Sequence, residues 1–436
     1  MADDGKMNRR SALRAAAVLA GTAAAAPLLR EPAAAQAGAG GDADALFKAG
    51  RFEQAGRAYE EILRADPANL HAARRRGQVA LLGNKFPDAE KYLKMALRLA
   101  PDDRDAHRFL GDCYLRQDEL ALSVPHWRAI GDETRATWFE AVSGEPYRIH
   151  GDTARLPWRQ MDPMPLVEVS VNNGPPKRFT FYTGAPWLSL SKSVAAEAGL
   201  APVAKQNIEF LNGRVWQYFG VLDSLALGGM ELRNIPVSWS EWESGEEVET
   251  EHDGMIGMWV FYHLLSTFDY AGRSLVLRRN TPDAVAEVRA AAARVGARPL
   301  PMWLAREHGL HSQGSIAGAI GSGTAVVGVL FGGHSEVAGV VNGEAARRLR
   351  IRLDHDRPVE TFSGSHPVVT YPCYPEELRL GDATANGVYC YTNPNSPLAP
   401  NGFDVPAAFF HSFHKPGNVT LDFTTMTLFT ARGPAG

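Results

Sequence analysis

The sequence predicts a multidomain protein in which an all-α repeat region precedes a bilobed, mainly β domain. Residues 43–140 show a helical pattern that repeats every 34 residues. After Arg155, apolar and polar residues alternate at the spacing of a β-strand. The strand plan of residues 155–280 recurs more loosely in residues 299–433, so two β lobes are expected. The 436 residues are enough for two or three domains with separate cores.

The repeat region is defined by residues that recur 34 positions apart. The recurring pairs are Phe52 and Phe86, Ala55 and Ala89, Leu63 and Leu97, Pro67 and Pro101, Ala72 and Ala106, and Gly77 and Gly111. Small residues let paired helices approach closely, and a proline ends a helix. This period resembles that of tetratricopeptide repeats, whose stacked helices usually bind a partner protein. The alternative interpretation is that so short an array only packs against the next domain.

The first β lobe has clear strand and turn signals. Leu166–Val171 alternates as a strand, and a second strand, Phe179–Tyr182, follows a turn rich in glycine and proline. Ser191–Leu200 has the pattern of a helix. Residues 281–298 are expected to form a helical linker between the two lobes.

The order of these elements resembles one lobe of the retropepsin-like and pepsin-like aspartic proteases. The matching parts are the turn Tyr182–Ala185, the Asp-Gly-x-x-Gly segment Asp253–Gly257, and a closing hairpin that begins at Phe268. In the family, the turn carries the catalytic Asp-Thr-Gly motif. The resemblance covers roughly residues 155–433, outside the repeats.

Lobe two repeats this plan more loosely. It has a corresponding turn at Val329–His334, a helix expected at Gly343–Ile351 and a closing hairpin at Val419–Leu428. The counterpart of the Asp-Gly-x-x-Gly segment is expected around Asn401-Gly402. Two such lobes imply a ligand cleft between them.

The resemblance also implies a flap, which is a hairpin that closes over the ligand. Ile208–Leu222 lies at the flap position and contains Asn212-Gly213, a favourable hairpin turn. Trp216 and Tyr218 follow this turn. An aromatic-lined cleft with such a lid suits an extended peptide or a flat, apolar small molecule.

Both catalytic aspartates of the family are missing. An aspartic protease needs two carboxylates that share one proton and activate a water. Tyr182 and Phe331 are expected to hold these positions and to face each other on the cleft floor, with Gly332 in place of a threonine or serine. A phenol with a pKa near 10 is not a useful base at neutral pH. The residues expected to line the cleft are Tyr182, Thr183, Gly184, Ala185, Trp216, Tyr218, Phe331, Gly332, Gly333 and His334.

Three functions are compatible with these residues. The first is a pseudoenzyme that binds a peptide or small ligand in the cleft without cutting it, while the repeats recruit a partner protein. The second is a non-proteolytic enzyme that uses Tyr182 and His334 as an acid and a base. The third is a divergent but active aspartic peptidase whose acids lie elsewhere in the sequence.

Two cysteines of lobe two are candidates for a disulfide. Cys373 and Cys390 lie symmetrically about the turn Gly381-Asp382, so a hairpin would place them opposite one another. An oxidising compartment would permit a bond between them if the geometry is suitable. Two reduced thiols are the alternative interpretation.

The first 37 residues resemble a bacterial twin-arginine export signal. Arg9 and Arg10 precede the apolar run Ala15–Leu29, which is too short for a transmembrane helix. Ala35-Gln36-Ala37 fits a signal cleavage site. A periplasmic or secreted mature protein without a transmembrane span is therefore expected, with an uncleaved anchor or a disordered tail as alternatives.

The composition excludes some classes of function. The chain has 45% hydrophobic and 22% charged residues and a net charge of −4, without the basic excess of a nucleic-acid-binding protein. It has no nucleotide-binding glycine motif, no zinc-protease motif and no Cys-x-x-Cys pair. Neither a cofactor nor a metal site is therefore expected.

Overall fold

A computed structural model describes residues 39–210, 213–248, 250–306, 309–333, 337–363, 366–395, 398–433 and 435. It confirms the predicted fold class, because helical repeats precede a mainly β domain built from two lobes. The predicted export signal, residues 1–37, lies outside the described residues. In the part of the chain that is described, no helix has the length and apolar character needed to cross a membrane.

Seven helices form the repeat region in the described chain. They are α1 (Ala39–Lys48), α2 (Phe52–Ala65), α3 (Leu70–Leu82), α4 (Phe86–Leu99), α5 (Arg104–Leu115), α6 (Leu120–Ala129) and α7 (Glu133–Glu140). The side chains of Asn69 and Asp103 accept backbone hydrogen bonds in the first turns of α3 and α5. These caps satisfy donors that a helix start leaves unpaired. The four recurring alanines are fully buried, as close packing between the repeats requires.

Lobe one is a closed barrel with edge strands. Its elements are β1 (Arg148–His150), β2 (Thr153–Pro157), β3 (Leu166–Val171), β4 (Pro176–Phe181), β5 (Leu188–Leu190), α8 (Lys192–Glu197), β6 (Ala204–Phe210), β7 (Gly213–Leu227), β8 (Met230–Trp242), β9 (Gly254–Ile256), α9 (Met258–Tyr262), β10 (Leu264–Asp269) and β11 (Ser274–Arg279). The strand order β8-β5-β9-β4-β3-β7 is closed by pairing between β7 and β8. The β structure begins at Arg148, ahead of the expected residue 155, because β1 and β2 add strands at the edges.

Lobe two follows helix α10 (Pro282–Arg294), which lies in the expected linker. Its elements are β12 (Pro299–Ala305), β13 (Gly309–Gly318), β14 (Gly321–Val329), β15 (Gly339–Asn342), α11 (Gly343–Arg348), β16 (Arg352–Leu353), β17 (Val359–Ser363), β18 (His366–Tyr374), β19 (Glu377–Leu380), β20 (Ala383–Asn386), β21 (Cys390–Asn393), β22 (Ala407–Phe409), α12 (His411–His414), β23 (Gly417–Asp422) and β24 (Thr427–Arg432).

The strand pairing shows that the two lobes are copies of one plan. In lobe one, β9 runs parallel to β4 and antiparallel to β5, and β5 runs parallel to β8. In lobe two, β22 runs parallel to β14 and antiparallel to β15, and β15 runs parallel to β21. The counterpart of β9 is therefore β22. The prediction that placed this counterpart around Asn401-Gly402 was wrong, because β22 has no Asp-Gly pair to mark it.

Six antiparallel strands join the lobes in the order β2-β11-β10-β23-β24-β12. At the centre, Thr267 of β10 lies opposite Thr420 of β23. Their hydroxyl oxygens are 2.8 Å apart, and both residues are buried. Asp269 and Asp422 end the two central strands, so a pseudo-twofold axis passes beside the threonine pair.

The repeat region packs against both lobes. Arg116 Nη2 donates a hydrogen bond of 3.0 Å to Leu304 O in lobe two. The Tyr262 hydroxyl of lobe one donates one of 3.0 Å to Arg116 O. In lobe one, His263 Nε2 also lies 2.9 Å from Asp118 Oδ1 of the repeats. The array thus packs against the next domain, which the sequence had left open.

Cys373 and Cys390 are directly opposite each other in the pair formed by β18 and β21. The expected facing arrangement is present, but not within one hairpin, because β19 and β20 form a separate hairpin between these strands. Both thiols are buried and free in the structure. Burial raises the pKa of the Cys390 thiol to about 12.

Candidate ligand-binding cleft

The turn of lobe one holds Tyr182 directly after β4. Tyr182 N–H donates to Ile256 O at 3.0 Å, and Ala185 N–H donates to Tyr182 O at 3.1 Å. The phenol ring folds back over Gly184, where an added Cβ would lie 2.2 Å from Tyr182 Cζ. Only glycine fits beneath this ring, so the turn keeps its glycine for a steric reason. Tyr182 is partly exposed.

Leu330 is the counterpart of Tyr182 in lobe two. Leu330 N–H donates to Phe409 O at 2.9 Å, as Tyr182 N–H donates to Ile256 O. Phe409 and Ile256 are the last residues of the equivalent strands β22 and β9. The prediction that Phe331 holds the second aspartate position is therefore wrong by one residue. Leu330, which is partly exposed like Tyr182, holds that position.

Thr183 ties the turns of the two lobes together. Phe331 N–H donates to Thr183 Oγ1 at 2.9 Å, and Thr183 N–H donates to Phe331 O at 3.0 Å. Phe331 is the residue equivalent to Thr183. It has no hydroxyl that could accept a hydrogen bond from the Thr183 N–H, as the Thr183 hydroxyl accepts one from the Phe331 N–H. The brace between the lobes is therefore one-sided. Gly332 aligns with the glycine of the first turn rather than with its threonine.

Two glycines let the turn of lobe two pass close to lobe one. Gly332 and Gly333 have φ values of +72° and +69°, a conformation that disfavours side chains. A Cβ at Gly332 would lie 1.9 Å from Phe181 O, and a Cβ at Gly333 would lie 2.7 Å from Tyr182 Cδ2. Gly333 N–H donates to Phe181 O at 2.7 Å. The Tyr182 ring is thus enclosed between the two turns.

Phe331 lies in the core beneath its turn. It is fully buried, and its ring stacks on Phe268 with ring centroids 4.7 Å apart. The His414 ring packs against it at 4.6 Å. Phe331 was expected to face Tyr182 across the cleft floor. Its side chain packs into the core instead, because the equivalent position in lobe one, Thr183, is also buried.

The acids at family positions accept hydrogen bonds from backbone N–H groups. Asp253 Oδ2 accepts a hydrogen bond of 2.7 Å from Arg178 N–H. Asp269 and Asp422 are fully buried and accept backbone N–H bonds of 2.8 and 3.1 Å in equivalent turns. These bonds hold the three carboxylates in place.

The chemistry available to Tyr182 is limited by its surroundings. Burial raises the pKa of Tyr182 above the ordinary value of a phenol. A general base must be deprotonated at the working pH, so this shift makes Tyr182 a poor base. His334, the expected partner of Tyr182, lies outside the described residues. Within the described ranges, no group of three His, Cys, Asp or Glu residues is arranged to hold a metal ion.

A hairpin formed by β6 and β7 lies at the expected flap position. Phe210 pairs with Gly213, and residues 211–212 lie outside the described residues. Gly213 of the expected turn pair is the first residue of β7. The two strands span Ala204–Leu227 and so extend beyond the expected Ile208–Leu222 on both sides.

The flap hairpin carries aromatic and charged side chains on one face. Trp216 is partly exposed, and Lys205 Nζ lies 4.6 Å from the centre of its ring. Tyr218 stacks on Trp239 with centroids 5.8 Å apart and donates its hydroxyl hydrogen to Glu241. Both predicted aromatic residues are thus held in place by neighbours.

Lobe two has an equivalent hairpin that sequence reasoning missed. β17 pairs with β18 and β18 pairs with β21, just as β6 pairs with β7 and β7 with β8. Residues 364–365, between β17 and β18, lie outside the described residues. Two alternating runs separated by Ser363-Gly364-Ser365 were the available signal. The fold therefore supplies one hairpin from each lobe.

Comparisons with known family models match the repeats and part of lobe one. A family model described as aspartyl protease matches residues 167–260, and a tetratricopeptide repeat model matches residues 42–103 and 83–129. Among solved structures, the chain is similar to a retropepsin-like aspartic protease from Rickettsia conorii. The identity is 19%, 30% of this chain and 95% of that chain are covered, and the TM-score is 0.23. No curated protein matches the chain.

Proposed function

We propose that this chain is an exported, aspartic-protease-like pseudoenzyme that binds a peptide or small ligand between its lobes without cutting it. The observation that carries this proposal is the residue pair at the two catalytic positions, Tyr182 and Leu330. Neither side chain can share a proton with a second carboxylate or activate a water, as aspartic proteases require. The acids that remain at family positions accept hydrogen bonds from backbone N–H groups.

The nature of the ligand follows from the same residues. Replacing two carboxylates with a phenol and an isobutyl group removes the cost of burying charge and leaves a largely apolar floor. Such a floor favours apolar side chains of a peptide or the face of a flat molecule. The hairpins of both lobes provide strand edges and aromatic surface, of which Trp216 is the best candidate for contact.

Binding without cleavage is tested with a peptide library. The purified protein is incubated with the library, and bound peptides are recovered and sequenced by mass spectrometry. We expect intact peptides rich in apolar residues, with fewer recovered from Trp216→Ala than from Leu122→Ala. Leu122 is exposed on α6 and serves as the matched control. Equal recovery from both variants would contradict a cleft ligand, and recovery of cleaved products would contradict the pseudoenzyme.

A second candidate function is a non-proteolytic enzyme that uses Tyr182 as an acid with His334 as its partner. The observation in its favour is that Tyr182 is partly exposed between the two turns. Its raised pKa suits a proton donor better than a base. Tyr182→Phe removes only the hydroxyl, so unchanged turnover of any substrate found for the protein would exclude this role.

Export to the periplasm or beyond is part of the proposal. Cell fractionation followed by N-terminal sequencing tests it with the wild type and the Arg9→Lys, Arg10→Lys double variant. We expect the wild type outside the cytoplasm with an N-terminus near Gly38, and the variant retained as the precursor. Equal export of both would contradict the twin-arginine route.

The repeats are proposed to recruit a partner protein. Tetratricopeptide arrays generally bind partners along the surface formed by successive helices. In this chain, part of that surface already contacts lobe two.

A further inference from the structure

A loop of lobe two is anchored in the repeat region by one aromatic side chain. Phe403, between β21 and β22, is fully buried. Its ring centroid lies 6.0 Å from that of Phe47 in α1 and 5.0 Å from that of Phe52 in α2. His311 packs on its other side at 5.2 Å. Phe403 thus belongs to the hydrophobic core of the repeats rather than to that of its own lobe.

Backbone contacts hold the same loop against the helices. Asp404 N–H donates to the carbonyl oxygen of Lys48, the last residue of α1, at 2.8 Å. Gly402 lies beside Arg75 of α3, since a Cβ at this glycine would be 3.2 Å from Arg75 Nη1. We call residues 398–405 the docking loop. The docking loop binds α1 and α3, which are the first helices of successive repeat pairs.

A crevice of about 560 Å³ opens beside this contact. Helices α2 and α3 line one side of it, and β12 with the turn between β23 and β24 lines the other. Phe52 and Trp303 line the crevice, and their rings are 5.1 Å apart. Phe52 also touches Phe403. A chain segment that enters the crevice can therefore reach the edge of the pocket that Phe403 fills.

We propose that the docking loop is an internal ligand of the repeats, and that a partner segment with a phenylalanine in the place of Phe403 competes for its site. The partner residue that follows this phenylalanine is expected to donate its backbone N–H to Lys48 O, as Asp404 does. The proposal rests on the proposed function, because it identifies where the repeats recruit their partner and by what chemistry.

Competition at this site would also affect ligand binding in the cleft. The docking loop leads directly into β22, and Phe409 at the end of β22 accepts the hydrogen bond from Leu330. Release of Phe403 would loosen the segment that fixes the turn of lobe two. Partner binding and ligand binding are therefore expected to be coupled through this strand.

A synthetic peptide with the sequence of residues 398–405 tests the proposal, with a matched peptide in which its phenylalanine is alanine. In the wild type the site is filled by the docking loop, which lowers the apparent affinity. We expect Phe403→Ala full-length protein to bind the phenylalanine peptide at least ~10-fold tighter than the wild type does. The alanine peptide should bind neither protein. Equal affinity of the two proteins, or no binding to the variant, would overturn the proposal.

Two controls keep the result interpretable if Phe403→Ala is poorly folded. Hydrogen exchange of α1 and α2 should increase in this variant and fall again when the phenylalanine peptide is added. Arg75→Ala leaves the buried ring in place and removes a side chain that lies beside the docking loop and would lie beside the bound peptide as well, so this variant should bind the peptide no more tightly than the wild type does. If exchange in α1 and α2 is unchanged by the peptide, or Arg75→Ala binds the peptide as tightly as Phe403→Ala does, the loop is only a packing element. Repeating the measurement with Trp216→Ala added to Phe403→Ala shows which part of the affinity belongs to the cleft, so failure of cleft binding is separable from failure here.

Discussion

Replacing Thr183 with valine removes the hydrogen-bonded brace between the lobes with little change of shape. The Thr183 hydroxyl accepts the Phe331 N–H at 2.9 Å, and both residues are buried. Valine cannot accept this bond, so the Phe331 N–H is left unpaired away from water. A buried donor without a partner costs about 1–3 kcal/mol. We therefore expect the free energy of unfolding to fall by about that amount.

Thr180→Val provides a matched control in the same segment. Thr180 is also buried, but among the described residues its hydroxyl has no hydrogen-bond partner. Removing an unpaired hydroxyl should leave stability unchanged or raise it slightly. Urea unfolding monitored by tryptophan fluorescence gives both values, and hydrogen exchange of the Phe331 amide should be faster only in Thr183→Val. If the two variants agree within about 0.5 kcal/mol, the brace does not stabilise the lobe interface.

Two further predictions concern lobe two. Burial lowers the pKa of His411 to about 4 and that of His414 to about 3. From about pH 6.5 down to 4, the unfolded chain binds protons that the folded chain excludes, so stability should fall by roughly 3 kcal/mol per histidine. The double variant His411→Met, His414→Phe carries the residue types of the equivalent helix α9. Its melting temperature should depend less on pH than that of the wild type. An unchanged dependence on pH would contradict this. Cys373 and Cys390 should form a disulfide on export, so the intact mass of the exported protein should be lower than the reduced mass by two hydrogen atoms. Cys113→Ser should show the same difference. A fully reduced mass would show that the two cysteines stay thiols.

The two-lobe plan could be predicted because its signals are local. The strand before Tyr182, the Asp253-Gly254 pair and the closing hairpin each leave a short pattern in a fixed order. The same order in lobe two placed its turn and its closing hairpin, but it placed neither the counterpart of Asp253-Gly254 nor the hairpin of β17 and β18. The structure adds the pairing of β10 with β23, which joins the lobes but has no sequence signal of its own.

The register of the second turn could not be predicted from its residues alone. Gly332 and Gly333 are adjacent, so either glycine can be aligned with the single glycine of the first turn. The choice is made by the hydrogen bond between Leu330 and Phe409, which lie far apart in sequence. The missing Asp-Gly pair in β22 removed the other landmark, and Asn401-Gly402 was taken in its place.

The contacts between the repeats and the lobes were also beyond sequence reasoning. Phe403 lies in a loop with an ordinary turn sequence, and nothing near it marks a partner in α1 and α2. Arg116 looks like a surface arginine at the end of a helix, yet it is almost fully buried. Such contacts join residues with no shared period or motif, so only the folded chain shows them.

The central claim is that the two catalytic positions hold no acid and that the cleft cannot hydrolyse peptides. The most direct measurement is cleavage of a diverse peptide library by the purified mature protein between pH 3 and 8, detected by mass spectrometry. We expect no products above those of a blank, for the wild type and for Tyr182→Phe alike. Cleavage that is blocked by a statine-type transition-state analogue would contradict the account and show that acids outside the two turns perform the reaction.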